Sequence, residues 1–156
     1  MSDVTPHPVR NAADGFVSAE VYARVQQFYA RQMGLLDDGR PDEWAGTFTE
    51  DAVFQEASRL DEPLRGREAI RASSRARKVR LEEAKVDFRH WLGMLEVTDA
   101  GDGSLVTRAY ALAMRTQRGG ELDIFASVVC RDRLVPVDGS WQVRSRDLEH
   151  DGSDRG

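Results

Sequence analysis

Phe28 to Ala57, FYARQMGLLDDGRPDEWAGTFTEDAVFQEA, followed closely by PLRGREAI at Pro63 to Ile70, is the stretch whose reading decides the fold. Ser18 is a good N-cap upstream of it. Val21, Val25, Phe28, Gln32 and Leu36 then recur at helical spacing, with Tyr29 and Met33 beside the stripe. Asp37-Asp38-Gly39-Arg40 ends that helix, glycine being suited to the left-handed position after a helix. Pro41 opens a second, short helix whose first turn carries Asp42 and Glu43, and Trp44 and Phe48, four apart, give it a buried side. Ala52 to Ala57 reads as a strand. Gly66 to about Val79 reads as a third helix.

From Val86 the texture becomes β-branched and aromatic. Val86–Thr98, Leu105–Gln117, Leu122–Val137 and Trp141–Leu148 are separated by DAGDG, RGG and DGS, which are hairpin signals. The expected architecture is α+β, a cone-shaped curved antiparallel sheet wrapped around about three N-terminal helices. The space between such layers is often a pocket for one small apolar molecule.

At 156 residues the chain is one domain, assigned to residues 18–150. The polar, Gly/Asp/Ser-rich ends, 1–17 and 151–156, are expected to be disordered tails. A net charge of −5 argues against a nucleic-acid footprint. The basic run from Arg65 to Lys85 is read mainly as a solvated helix face. A single cysteine, Cys130, excludes an internal disulfide. His7 and His150 fall in or beside the tails, so no histidine–carboxylate spacing suggests a metal site. No apolar run is long enough to cross a bilayer, and the N-terminus lacks a signal-peptide pattern, so a cytoplasmic location is expected.

LLDDGRPDEWAGTFTEDAVF (Leu35 to Phe54), RHWLGMLEV (Arg89 to Val97), TRAYALAMRT (Thr107 to Thr116), GGELDIFASVVCRD (Gly119 to Asp132) and VDGSWQVRSRDLEHD (Val137 to Asp151) together resemble the nuclear transport factor 2-like superfamily. Within it the chain is similar to SnoaL-like polyketide cyclases and dehydratases, and also to the small β subunits of aromatic-ring-hydroxylating dioxygenases. The first resemblance implies a cofactor-independent enzyme acting by general acid–base proton transfer on an apolar, aromatic polyketide-like ligand, working as a homodimer. The alternatives are a ligand-binding accessory protein of a biosynthetic pathway and a structural oxygenase subunit.

Candidate chemistry follows from strand parity and from that resemblance. Val86, Phe88, His90, Leu92 and Met94 share one strand face. A histidine on the matching strand of the dehydratases is a general base; otherwise His90 is a core residue. Asp37 and Asp38 sit where those dehydratases carry an aspartate, and Asp38 is taken as the catalytic candidate, against simple helix termination. Asp132 matches the acid–base aspartate of the cyclases, or else is an outward charge paired with Arg131 or Arg133. Arg108, Tyr110, Leu112 and Met114 share a face opposite Ala109, Ala111 and Ala113. There Tyr110 is a candidate oxyanion donor or a packing residue, and Arg108 and Met114 are candidate ligand contacts with Tyr29, Trp44, Phe48 and Phe88. The dehydratases carry a second histidine or carboxylate on the Tyr110 strand, where this chain has Ala113 and Met114.

Overall fold

The computed structural model describes residues 15–154. In chain order it comprises α1 (Ala19–Asp37), α2 (Pro41–Ala45), β1 (Phe48–Gln55), β2 (Leu64–Arg65), α3 (Arg67–Ala84), β3 (Val86–Asp99), β4 (Leu105–Gln117), β5 (Leu122–Val137) and β6 (Ser140–His150).

Local chemistry sets the helix limits. Ser18 accepts a hydrogen bond from the Val21 amide, and Gly39, at φ 71°, lets the chain turn out of α1 without the steric penalty of a side chain. Pro41 sits at the start of α2, as expected. That helix stops after five residues because the Thr47 hydroxyl donates to the Trp44 carbonyl and the chain straightens. Phe48 therefore belongs to β1 rather than to α2, and meets Trp44 edge to face with ring centroids 4.8 Å apart.

The six strands form one sheet in the order β2-β1-β6-β5-β4-β3. The predicted meander is present: β3, β4, β5 and β6 pair antiparallel with consecutive neighbours. The sheet is mixed, however, because β1 runs parallel to β6. α3 carries the chain from the β1–β2 end to the far edge, and the meander returns to lay the last strand beside the first. Register shifts at Gly93/Glu96, Ala113/Met114 and Arg133/Leu134 add one residue to one strand at a time. Such bulges bend long strands and curl the sheet around the helices.

The core lies between that concave face and the helices, with Val25, Phe48, Ile70, Leu105, Leu134 and Val143 fully buried. The Gly93/Glu96 bulge ends the expected parity of β3: Met94, at φ 51°, is 77% exposed, whereas Val97 returns to the core. The disorder expected for 1–17 and 151–156 falls partly outside the described residues. Within them, Phe16 bridges Thr98, the Val17 amide donates to the Val97 carbonyl, and the Asp151 amide donates to the Ser127 carbonyl. Among the described residues no helix is long and apolar enough to cross a membrane.

Candidate active site

A cavity of about 400 Å³ opens between the concave face and α2–α3. Its floor is Phe88, His90 and Leu92 of β3, Ala111 and Ala113 of β4, and Ala126 and Val128 of β5; Trp44, Phe54, Ile70 and Arg77 line other parts of its wall. The alanines leave unfilled the space a larger residue would occupy.

His90 is fixed on one side of this cavity by Asp37. One Asp37 oxygen lies 2.6 Å from His90 Nδ1, and the other accepts the His90 backbone amide at 2.9 Å. β3 is an edge strand, so this carboxylate satisfies a main-chain donor that no neighbouring strand reaches. An ionised carboxylate only accepts hydrogen bonds, which assigns the proton of a neutral ring to Nδ1 and leaves the Nε2 lone pair free. Neither side chain is well exposed, at 20% for His90 and 8% for Asp37.

A second pair was not legible in the sequence. His150 is the last residue of β6 rather than part of a tail, and its Nε2 lies 2.7 Å from a carboxylate oxygen of Glu56, one residue past β1. Both line the same cavity. The missed signal was the parallel β1–β6 pairing, which brings the two strand ends together.

Two buried donors in the cavity wall lack a partner among the described residues: Trp44 Nε1 and Arg77 Nη2. Arg77 stacks 4.5 Å from the Phe88 ring. Burial pulls its guanidinium below the ordinary arginine range, and the nearby Asp37 charge partly opposes that. Arg59 and Arg80 add further positive charge to the lining. Unsatisfied buried donors are costly, so this wall is suited to an oxygen-bearing ligand.

The other candidates lie elsewhere. Asp38 is 66% exposed and stands 4.0 Å from Arg89 outside the cavity; Asp37, not Asp38, is the inward carboxylate. Asp132 is not an outward charge paired with Arg131 or Arg133. It is buried and held by Arg146 through two hydrogen bonds of 2.9 and 2.8 Å, and by the Tyr29 hydroxyl at 2.7 Å. Gln32 and Thr107 extend that network. Burial alone would lower Arg146, but the Asp132 charge overrides it and holds the guanidinium above its ordinary range. Burial, and next Asp132, push the Tyr29 phenol well above its usual value.

Tyr29 thus spends its hydroxyl in the core, and its ring borders a more open groove between α1 and β3. Phe48 is wholly buried behind Trp44 and does not line the cavity. Arg108, Tyr110 and Met114 are on the convex face, because Ala109, Ala111 and Ala113 take the inward positions of β4. Tyr110 is 48% exposed and lies beneath the Arg108 guanidinium. Phe88 and Trp44 line the cavity. Among the described residues, no three of His, Cys, Asp and Glu cluster as a metal set.

A family model described as "SnoaL-like domain" matches residues 17–147. Aln2 from a Streptomyces species is 38% identical, with a TM-score of 0.80 over 87% of this chain and 94% of its own. ActVI-ORFA from Streptomyces coelicolor is 29% identical, with a TM-score of 0.80 over 88% of this chain and 99% of its own. A protein from Catenulispora acidiphila, solved in complex with S-DNPA, is 39% identical with a TM-score of 0.73 over 86% of this chain and 96% of its own. No curated protein matches.

Proposed function

The chain belongs to the SnoaL-like domain family, and on that premise we propose that it is a cofactor-independent polyketide-pathway enzyme, a cyclase, dehydratase or isomerase acting by proton transfer. The observation that carries this reading is the His90–Asp37 pair beside an apolar cavity. His90 Nε2 removes a proton from carbon next to a ketone. Asp37 orients the ring and balances the charge it acquires. The enolate oxygen that develops is met by Arg77, whose buried Nη2 otherwise has no partner among the described residues.

The chemistry favours an aromatic ketone as substrate: the floor is apolar, and about 400 Å³ holds two or three fused rings. A homodimer is part of the same reading. Trp91, Tyr110 and Ile124, at 67, 48 and 59% exposed, leave an apolar patch on the convex face that a second copy would cover.

The test uses 1-tetralone, a bicyclic aromatic ketone, in deuterated buffer. The wild type is expected to catalyse exchange at the carbon beside the carbonyl, and His90→Gln to lower that rate about a hundredfold or more. Saturable binding without exchange would overturn the enzymatic reading and leave a ligand-binding accessory protein.

A further inference from the structure

The His150–Glu56 pair has no part in removing a proton from carbon, yet it is built like His90–Asp37. Each histidine is half-sequestered and fixed through one ring nitrogen by a carboxylate from a different element. The register sets them facing across one floor. His90 pairs with Ala113, and Ala113 with Ala126; His150 pairs with Val128, two residues further along the same face of β5. The two histidines therefore bracket a row of small residues. Their backbones are three strand spacings apart across the curved sheet and two residues apart along it, roughly 16 Å in all. With the side chains reaching inward, that separation suits a fused two-ring molecule lying between them.

The end of β6 is also held in place. The Asp151 amide and carboxylate bond Ser127, and the Ser153 hydroxyl donates to the His150 carbonyl at 2.6 Å. With Nε2 engaged by Glu56, Nδ1 is the nitrogen left to exchange a proton. Among the described residues, no group on the cavity floor besides His90 offers one. Ala111, Ala113 and Ala126 have no polar side-chain atom, and burial pushes the Cys130 thiol up while it bonds Asp132.

We propose that His150 is a second proton-transfer group of this cavity, positioned by Glu56, which donates to a departing hydroxyl while His90 takes a proton from carbon. The proposal rests on the proton-transfer reading of His90 and narrows it to elimination of water from a cyclic β-hydroxyketone. His90 Nε2 takes the proton beside the carbonyl. That C–H electron pair becomes the new C=C bond as the β-carbon–oxygen bond breaks, and the hydroxyl leaves as water with the Nδ1 proton of His150, which enters the step as imidazolium with Glu56 balancing its charge. Solvent then removes the proton from His90 and returns one to His150, so no oxidant, reductant or cofactor enters.

Two probes separate the half-reactions. Exchange of 1-tetralone needs only the base, whereas 3-hydroxy-1-tetralone, which gives fluorescent 1-naphthol on losing water, needs base and acid. His150→Gln is expected to lower dehydration at least thirtyfold more than it lowers exchange, an effect read in kcat rather than KM. Glu56→Gln should lower the same ratio about tenfold, and Glu56→Asp should restore part of it. Circular dichroism and melting temperature report whether each variant folds; if His150→Gln does not, the two Glu56 variants decide. An unchanged ratio in the folded variants would overturn the His150 assignment and leave the His90 reading standing. A wild type that binds 1-tetralone but exchanges nothing would overturn both.

Discussion

Asp37 closes α1 and holds both the ring and the backbone amide of His90, so one carboxylate couples a helix terminus to an edge strand and to the cavity. Its neighbour Asp38 points to solvent. Asp37→Asn is expected to cut exchange of 1-tetralone by about 10² or more, because an amide can present its NH₂ to the ring and favour the wrong tautomer. Asp38→Asn should stay within about twofold. Equal effects in deuterium-exchange NMR would remove the distinction between them.

The Asp132–Arg146 pair is the most buried ion pair among those described, with side-chain exposures of 0 and 4%. Removing one partner strands the other charge in the core. Asp132→Asn is expected to cost about 3–5 kcal/mol in urea unfolding, and Arg131→Gln or Arg133→Gln under about 1 kcal/mol. An Asp132→Asn protein of wild-type stability that had lost activity would restore the acid–base role read from its spacing.

Arg77 offers the ligand a buried donor, Nη2, that has no partner among the described residues. A hydrogen bond to a charged partner is worth about 1.5–3 kcal/mol. Arg77→Met should therefore weaken 2-naphthoate by about ten- to a hundredfold while leaving 2-naphthamide much less affected, as read by calorimetry. Equal losses for both would mean that Arg77 only shapes the wall.

Cys130 and Tyr29 set an alkaline limit on stability. Burial raises both above their ordinary values, so the folded chain keeps protons that the unfolded chain loses from about pH 9 upward. Stability contributed by these groups is present below that pH and falls as pH rises. Urea midpoints should decline between about pH 8.5 and 10.5, and less steeply in Cys130→Ala, where one of the two groups is gone. A flat profile in the wild type would contradict the sign.

The convex patch predicts association. Light scattering should give a dimer mass for the wild type, and Trp91→Glu combined with Tyr110→Glu should shift it toward the monomer with the melting curve otherwise retained. A monomeric wild type would reject the homodimer.

How much of the site was legible depended on whether an argument stayed within one segment. Period-two alternation put Phe88 and His90 on one face correctly, but it could not say which face of β4 turns inward. Tyr110 and Arg108 looked like chemistry and Ala111 and Ala113 like filler, yet the cavity needs the small residues on its floor. Parity also failed at Met94, where a bulge beginning at Gly93, the one glycine inside that strand, resets the count.

The sequence by itself determined the order of elements, the cap at Ser18, the turn at Gly39 and the three hairpins, because each follows from interactions among residues a few positions apart. Only the tertiary structure decided that Asp37 rather than Asp38 meets His90, that Asp132 is locked in the core by Arg146, and that Glu56 meets His150. Those pairs join positions 53, 14 and 94 residues apart. The first and third depend on the packing of α1 against the sheet edge and on a parallel pairing between the first and last long strands, neither of which leaves a local trace in the chain; the second joins partners directly opposite in the β5–β6 hairpin, and only its burial against α1 is tertiary.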